Sequence, residues 1–165
     1  MRQVCDVYGQ MAMQAMSDEL TRLPNRRYFR QLLDRQWQPG RALLMIDLDC
    51  FKRINDTFGH DAGDRVLQDF ARVLHEACPP GGHAARLGGE EFAMLLPGDG
   101  AEAARVAEGI RAAAEASRSV DGVQYTASLG LALWQPGEGA GDMMRRVDQA
   151  LYRAKAKGRN RVEAT

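Results

Sequence analysis

Cysteine is scarce in this chain: Cys5, Cys50 and Cys78 are three in number and far apart. No CxxC pair and no Cys/His spacing of a zinc module accompanies them. A disulfide framework is therefore not expected, and the thiols read as reduced. Net charge is lacking too, because 22 Lys+Arg balance 22 Asp+Glu. A chain that holds a polyanion by bulk charge is basic, so a nucleic-acid polymer is not the expected partner. Any anion site has to be built locally. No apolar run approaches the ~20 residues of a membrane span, and the N-terminus lacks the apolar stretch of a secretory signal. A cytoplasmic protein without membrane contact is expected, standing alone or as the output end of a longer sensor. Internal repeats and low-complexity segments are absent as well.

What is present fits one domain of 165 residues with a sizeable core. Val4, Tyr8, Met11 and Ala15 recur at helical spacing, which predicts a helix over residues 1–16. It reads as a cap on the domain or as a signalling linker, and both readings stand. Pro24 ends that segment, and Asn25 is placed to cap a helix reaching Gln36. Residues 42–46 form a continuous apolar run, a strand buried on both faces. Residues 50–56 predict a short helix, and 61–78 a long one with Asp61 at its start. Two runs, 83–87 and 92–96, flank Gly88-Gly89 as a hairpin. A helix over 101–116 follows, then strict alternation over 123–133, a long strand whose small face (Ser128, Gly130, Ala132) calls for a close neighbour. A final helix covers 142–157, with Met144, Val147, Leu151 and Ala154 inward, and a short strand includes Val162. Helices around hairpin-paired strands predict an α+β domain with a mostly antiparallel sheet.

Two stretches carry chemistry. The apolar strand stops at Asp47-Leu48-Asp49, and acids at the end of a buried strand are costly unless something binds them. The hairpin carries Glu90 and Glu91 beside two glycines, which let another group approach the backbone closely. If strand and hairpin are sheet neighbours, Asp47 and Glu90 converge. Two carboxylates and a main-chain carbonyl suit Mg2+ or Mn2+. The amides of Cys50, Phe51 and Lys52 open a helix, a seat for phosphate. Lys155 and Arg159 flank another helix end, where basic residues are also routine.

Four motifs in this order resemble the GGDEF domain of the diguanylate cyclase family. They are Asp18-x-Leu20-Thr21-x-Leu23-Pro24-Asn25-Arg26-Arg27; Asp47-Leu48-Asp49-x-Phe51-Lys52-x-Ile54-Asn55-Asp56-x-Phe58-Gly59-His60-x-x-Gly63-Asp64; Arg86-Leu87-Gly88-Gly89-Glu90-Glu91-Phe92; and Tyr152-x-Ala154-Lys155-x-x-Gly158-Arg159-Asn160. The resemblance covers about residues 18–161 and assigns 17–165 to the domain. It implies a five-stranded sheet like that of adenylyl cyclases and polymerase palms. It also implies condensation of two GTP into cyclic di-GMP with loss of two pyrophosphates, across a homodimer under an upstream sensory domain. Asp47, Glu90 and the Leu48 carbonyl then match the metal ligands. Glu90 also matches the proton acceptor for the ribose 3′-hydroxyl, and Lys52 the transition-state cation. Asn55 and Asp64 match the guanine readers, with Leu67 lining the base pocket or packing in the core. His60, Phe51, Gly88 and Gly89 match substrate contacts, and Lys155 and Arg159 contacts to the terminal phosphates. Glu91 supports the metal from behind.

One departure stands out. Where many members carry an Arg-x-x-Asp inhibitory site, this chain has Pro79-Pro80-Gly81-Gly82. Weak product inhibition is expected. Three competing readings are a module that binds GTP or cyclic di-GMP without turnover, a cyclase making another nucleotide, and a dimerising adaptor.

Overall fold

The structure, a computed structural model, describes residues 16–165. The helix expected over 1–16 falls outside that range, apart from Met16, which lies in a turn. The described elements are α1 (Arg26–Gln36), β1 (Arg41–Leu48), α2 (Phe51–Phe58), α3 (His60–Ala77), β2 (His83–Gly88), β3 (Glu91–Pro97), α4 (Gly100–Ala116), β4 (Ala127–Leu133), α5 (Ala140–Ala156) and β5 (Val162–Ala164). They form one five-stranded sheet in the order β2-β3-β1-β4-β5. Three of its pairings are antiparallel, and β4 with β5 is parallel.

β1 is the central strand, and its side chains alternate between two cores. Ala42, Leu44, Ile46 and Leu48 pack with Val66, Phe70 and Leu74 of α3 and with Ala103, Ala107 and Ile110 of α4. Leu43 and Met45 face the opposite layer, with Phe29, Leu32 and Leu33 of α1 and Val147 and Leu151 of α5. Asp47 has the parity of Leu43 and Met45, so the pleat directs it to the α5 side. α1 is capped as expected, with Asn25 Oδ1 accepting from Tyr28 N at 3.1 Å. The small face of β4 also has its neighbour. A methyl added to Gly130 would sit on the Val147 carbonyl oxygen and 2.6 Å from Leu151 N, so α5 lies backbone-close to the sheet.

Three details differ from the sequence reading. β4 begins at Ala127, not at residue 123. β1 has ended by then, its Leu48 pairing with Ala127, so no strand remains to extend the ladder. Residues 118–124 instead close on themselves through an Arg118–Gln124 bridge. Val123 and Tyr125 are still buried, with the Tyr125 hydroxyl donating to Asp69 at 2.6 Å. The N-cap of α3 is Gly59, and Asp61 lies within its first turn. On α5 it is Met143 that is fully buried, while Met144 is half-buried at the edge of the core.

Candidate active site

Asp47 lies near the end of β1 and is 8% exposed. It stands in register with Glu91 of β3 on one side and Ser128 of β4 on the other. The next residue, Leu48, donates its amide to the Glu90 carbonyl at 3.2 Å. The end of the central strand is thereby tied to the hairpin turn, as sheet adjacency required. Gly88 and Gly89 both have positive φ, 137° and 51°, so the turn depends on residues without a β-carbon.

Burial pushes the Asp47 carboxyl above its ordinary value. The Lys155 ammonium, with Nζ 2.8 Å from Asp47 Oδ2, works against that, while the charges of Glu90 and Glu91 push it further up. Glu91 is drawn to Arg26, 3.5 Å away on the exposed side of the hairpin. No group of three or more His, Cys, Asp or Glu side chains placed to hold a metal occurs among the described residues. The donors expected from the sequence are two carboxylates, of Asp47 and Glu90, and the Leu48 carbonyl. This oxygen-only set, with more negative than positive charge around a buried carboxylate, fits a hard divalent cation. Lys155 was expected at phosphate; here it neutralises Asp47.

Asp49, two residues on, has a different role. It is 7% exposed and accepts from Thr126 Oγ1 at 2.7 Å, Ser128 Oγ at 2.6 Å and Asn160 N at 3.0 Å. Those three donors satisfy it without a metal and bind the start of α2 to β4 and to the 158–161 turn. Sequence reading left Asp49 without a role, because its partners lie 77–111 positions away. Cys50 follows in the left-handed region at φ 54°, and α2 starts at Phe51 with no side-chain cap. The first-turn amides of such a helix have no partner within it, so Phe51 and Lys52 present N–H donors beside Asp49. Arg159, at φ 64°, and Asn160 line a cavity of about 380 Å3 with Asp49, Cys50 and Arg53.

The other expected contacts gather at the corner between α2 and α3. Gly63 comes so close to Asn55 that an added methyl would overlap Asn55 Oδ1 and lie 3.2 Å from the Phe51 ring. Asn55 Oδ1 is buried and accepts no hydrogen bond from the described residues. An orphaned amide oxygen there is costly unless a donor arrives from outside the chain. His60, on the first turn of α3, and Asp64, one turn further on, are exposed, and Leu67 is buried. Gly63 is a residue that sequence reasoning missed. Its signal was a glycine inside a helical pattern, which often marks close approach.

The sequence matches the family described as "Diguanylate cyclase, GGDEF domain" over residues 15–161. The chain belongs to that family. It is 42% identical over 159 residues to diguanylate cyclase DgcP of Pseudomonas aeruginosa, covering 90% of this chain and 24% of that protein. It is 41% identical over 162 residues to diguanylate cyclase DgcM of Escherichia coli, covering 91% and 38%. This chain therefore spans well under half of either relative. Among solved structures, the coiled coil and GGDEF domain of DgcB from Caulobacter crescentus, in complex with c-di-GMP, superposes with a TM-score of 0.93 at 35% identity, covering 99% of this chain and 93% of that one. The fold is the palm-like cyclase fold of GGDEF domains. No helix among the described residues is long and apolar enough to cross a membrane.

Proposed function

We propose that this GGDEF domain is a diguanylate cyclase that condenses two GTP into cyclic di-GMP and releases two pyrophosphates. The observation that carries the reading is the buried Asp47 carboxylate, fixed through the sheet beside the Glu90 turn and surrounded by acid. Asp47, Glu90 and the Leu48 carbonyl would hold Mg2+ or Mn2+, which supplies charge neutralisation at the reacting phosphate. In that arrangement Lys155 gives up Asp47 and turns to the terminal phosphates, where Arg159 joins it.

The remaining steps belong to the chain's own groups. The amides of Phe51 and Lys52 seat phosphate oxygens at the start of α2. The Lys52 ammonium offsets the charge that builds as phosphoryl transfer proceeds. Glu90 accepts the proton of the attacking 3′-hydroxyl. Gly88 and Gly89 keep the turn low enough for substrate to lie over it. Asp64 accepts from guanine N1–H and N2–H2, donors that adenine does not offer. Asn55, whose Oδ1 is without a donor, reads the same edge. Leu67 and Phe51 supply the apolar wall, and His60 lies at the rim.

One domain holds one GTP, so the working unit is a homodimer whose two sites face each other. An upstream sensory domain would bring them together, and a cytoplasmic location follows from the substrate. Pro79–Gly82 is a tight turn closed by Gly82 N on the Pro79 carbonyl at 2.9 Å, without Arg or Asp. Product inhibition through that segment is weak. Incubating the domain with GTP and Mg2+ and resolving the nucleotides tests the reading, with Glu90→Gln as the variant that should make no product.

A further inference from the structure

The Gly88-Gly89 turn should be floppy. Glycine has the largest conformational freedom to lose, and two in succession leave the residue after them loosely placed. Yet the chain's carbonyls through this turn are held by side chains and by the neighbouring strand. Arg26 Nε donates to Leu87 O at 2.7 Å. Arg86 donates to Gly89 O twice, from Nε at 3.1 Å and Nη2 at 2.8 Å. Leu48 N donates to the Glu90 carbonyl.

The Arg86 guanidinium has a second grip. Its Nη1 lies 3.2 and 3.1 Å from the two Asp18 carboxylate oxygens. That pair is largely buried, with 12% and 22% of the side chains exposed. By contrast the Arg26–Glu91 pair is about half exposed on both sides, and screening leaves it little strength. Asp18 is itself pinned: Thr21 donates its amide at 2.8 Å and its hydroxyl at 2.7 Å to Oδ2. The turn around it is closed by Asp18 N on Leu23 O at 2.7 Å and Arg22 N on Asp18 O at 2.8 Å.

We infer that Asp18 and Arg86 are positioning residues for Glu90: the carboxylate of the segment before α1 fixes the Arg86 fork, and the fork fixes the peptide that carries Glu90. The inference rests on the cyclase reading for its kinetic consequence only. The segment's own attachment does not need the guanidinium, since Arg86 N donates to Pro24 O at 2.9 Å and Gln68 Nε2 donates to Leu20 O at 3.2 Å. Removing the Asp18 charge therefore loosens the turn without detaching the segment. Lysine at 86 cannot reproduce the grip, because one ammonium has no planar fork to span Gly89 O and Asp18.

The test combines amide hydrogen exchange with steady-state kinetics on wild type, Asp18→Asn, Arg86→Lys and the double variant. In Asp18→Asn, exchange of the 87–91 amides is expected to rise about tenfold, as losing one charge-assisted bond implies, with the rest of the sheet unchanged. The kcat falls roughly tenfold or more while KM for GTP moves less than about twofold, because misplacing a reacting group costs rate and not binding. Arg86→Lys gives the same split, and the double variant is no worse than Arg86→Lys alone, the mark of one shared path. Unchanged exchange at 87–91, additive losses, or exchange raised throughout the sheet in both single variants would overturn the inference. If wild type makes no cyclic di-GMP, the cyclase reading fails, while exchange at 87–91 still decides whether Asp18 holds the turn.

Discussion

At the scale of single residues, the site turns on which partner each carboxylate has. Asp47 is buried, flanked by acid, and among the described residues neutralised only by Lys155. A divalent cation there relieves that tension, so Mg2+ should raise the melting temperature of wild type. Asp47→Asn should abolish the rise; an equal rise in that variant would show that the metal binds elsewhere. Asp18 has the opposite balance. Burial pushes its carboxyl up, but the Thr21 hydroxyl and amide and the Arg86 guanidinium outweigh this and hold it below 3.8. A depressed value in the fold means stability that is present above 3.8 and lost as pH falls through the folded value. Thermal melts of wild type and Asp18→Asn should therefore differ at neutral pH and converge on the acid side. A gap independent of pH would contradict the pairing. That Asp47 lies beside the Glu90 turn and that a helix opens at Phe51 was legible, because strand end, glycine pair and helix start are local signals. The pairings Lys155–Asp47, Arg86–Asp18 and Asp49–Asn160 were not, since each joins residues that only the fold brings together.

At the scale of elements, the site is hung on β1 and α5. Gly130 lets α5 approach β4 to backbone contact, and α5 carries Lys155 to Asp47. Gly130→Ala forces the helix away and should destabilise the domain by about 1–3 kcal/mol, as overpacking does. Urea unfolding would measure it, and a change near zero would mean that the helix is free to shift. Gly63→Ala acts differently. It drives Asn55 and Phe51 out of place, so KM for GTP should rise several-fold, about what one lost hydrogen bond implies. The elements themselves were readable wherever periodicity and punctuation agreed, as on β1, α3 and the hairpin. The overlong β4 shows the limit. Alternation over 123–133 reports burial correctly, but whether a strand pairs depends on what β1 offers beside it.

At the scale of the whole molecule, one copy of the domain holds half of the proposed reaction. Specific activity should therefore climb with protein concentration and level off when two copies are fused. Activity per mole that is flat from high dilution upward would remove the homodimer from the account. Cyclic di-GMP added at low micromolar concentration should inhibit little, because the turn at Pro79–Gly82 has neither an arginine nor an aspartate to offer the product. The most direct measurement remains nucleotide analysis after incubating the purified domain with GTP and Mg2+. Cyclic di-GMP and pyrophosphate are expected from wild type and none from Glu90→Gln. No cyclic di-GMP from concentrated or fused wild type, or undiminished product from Glu90→Gln, would contradict it.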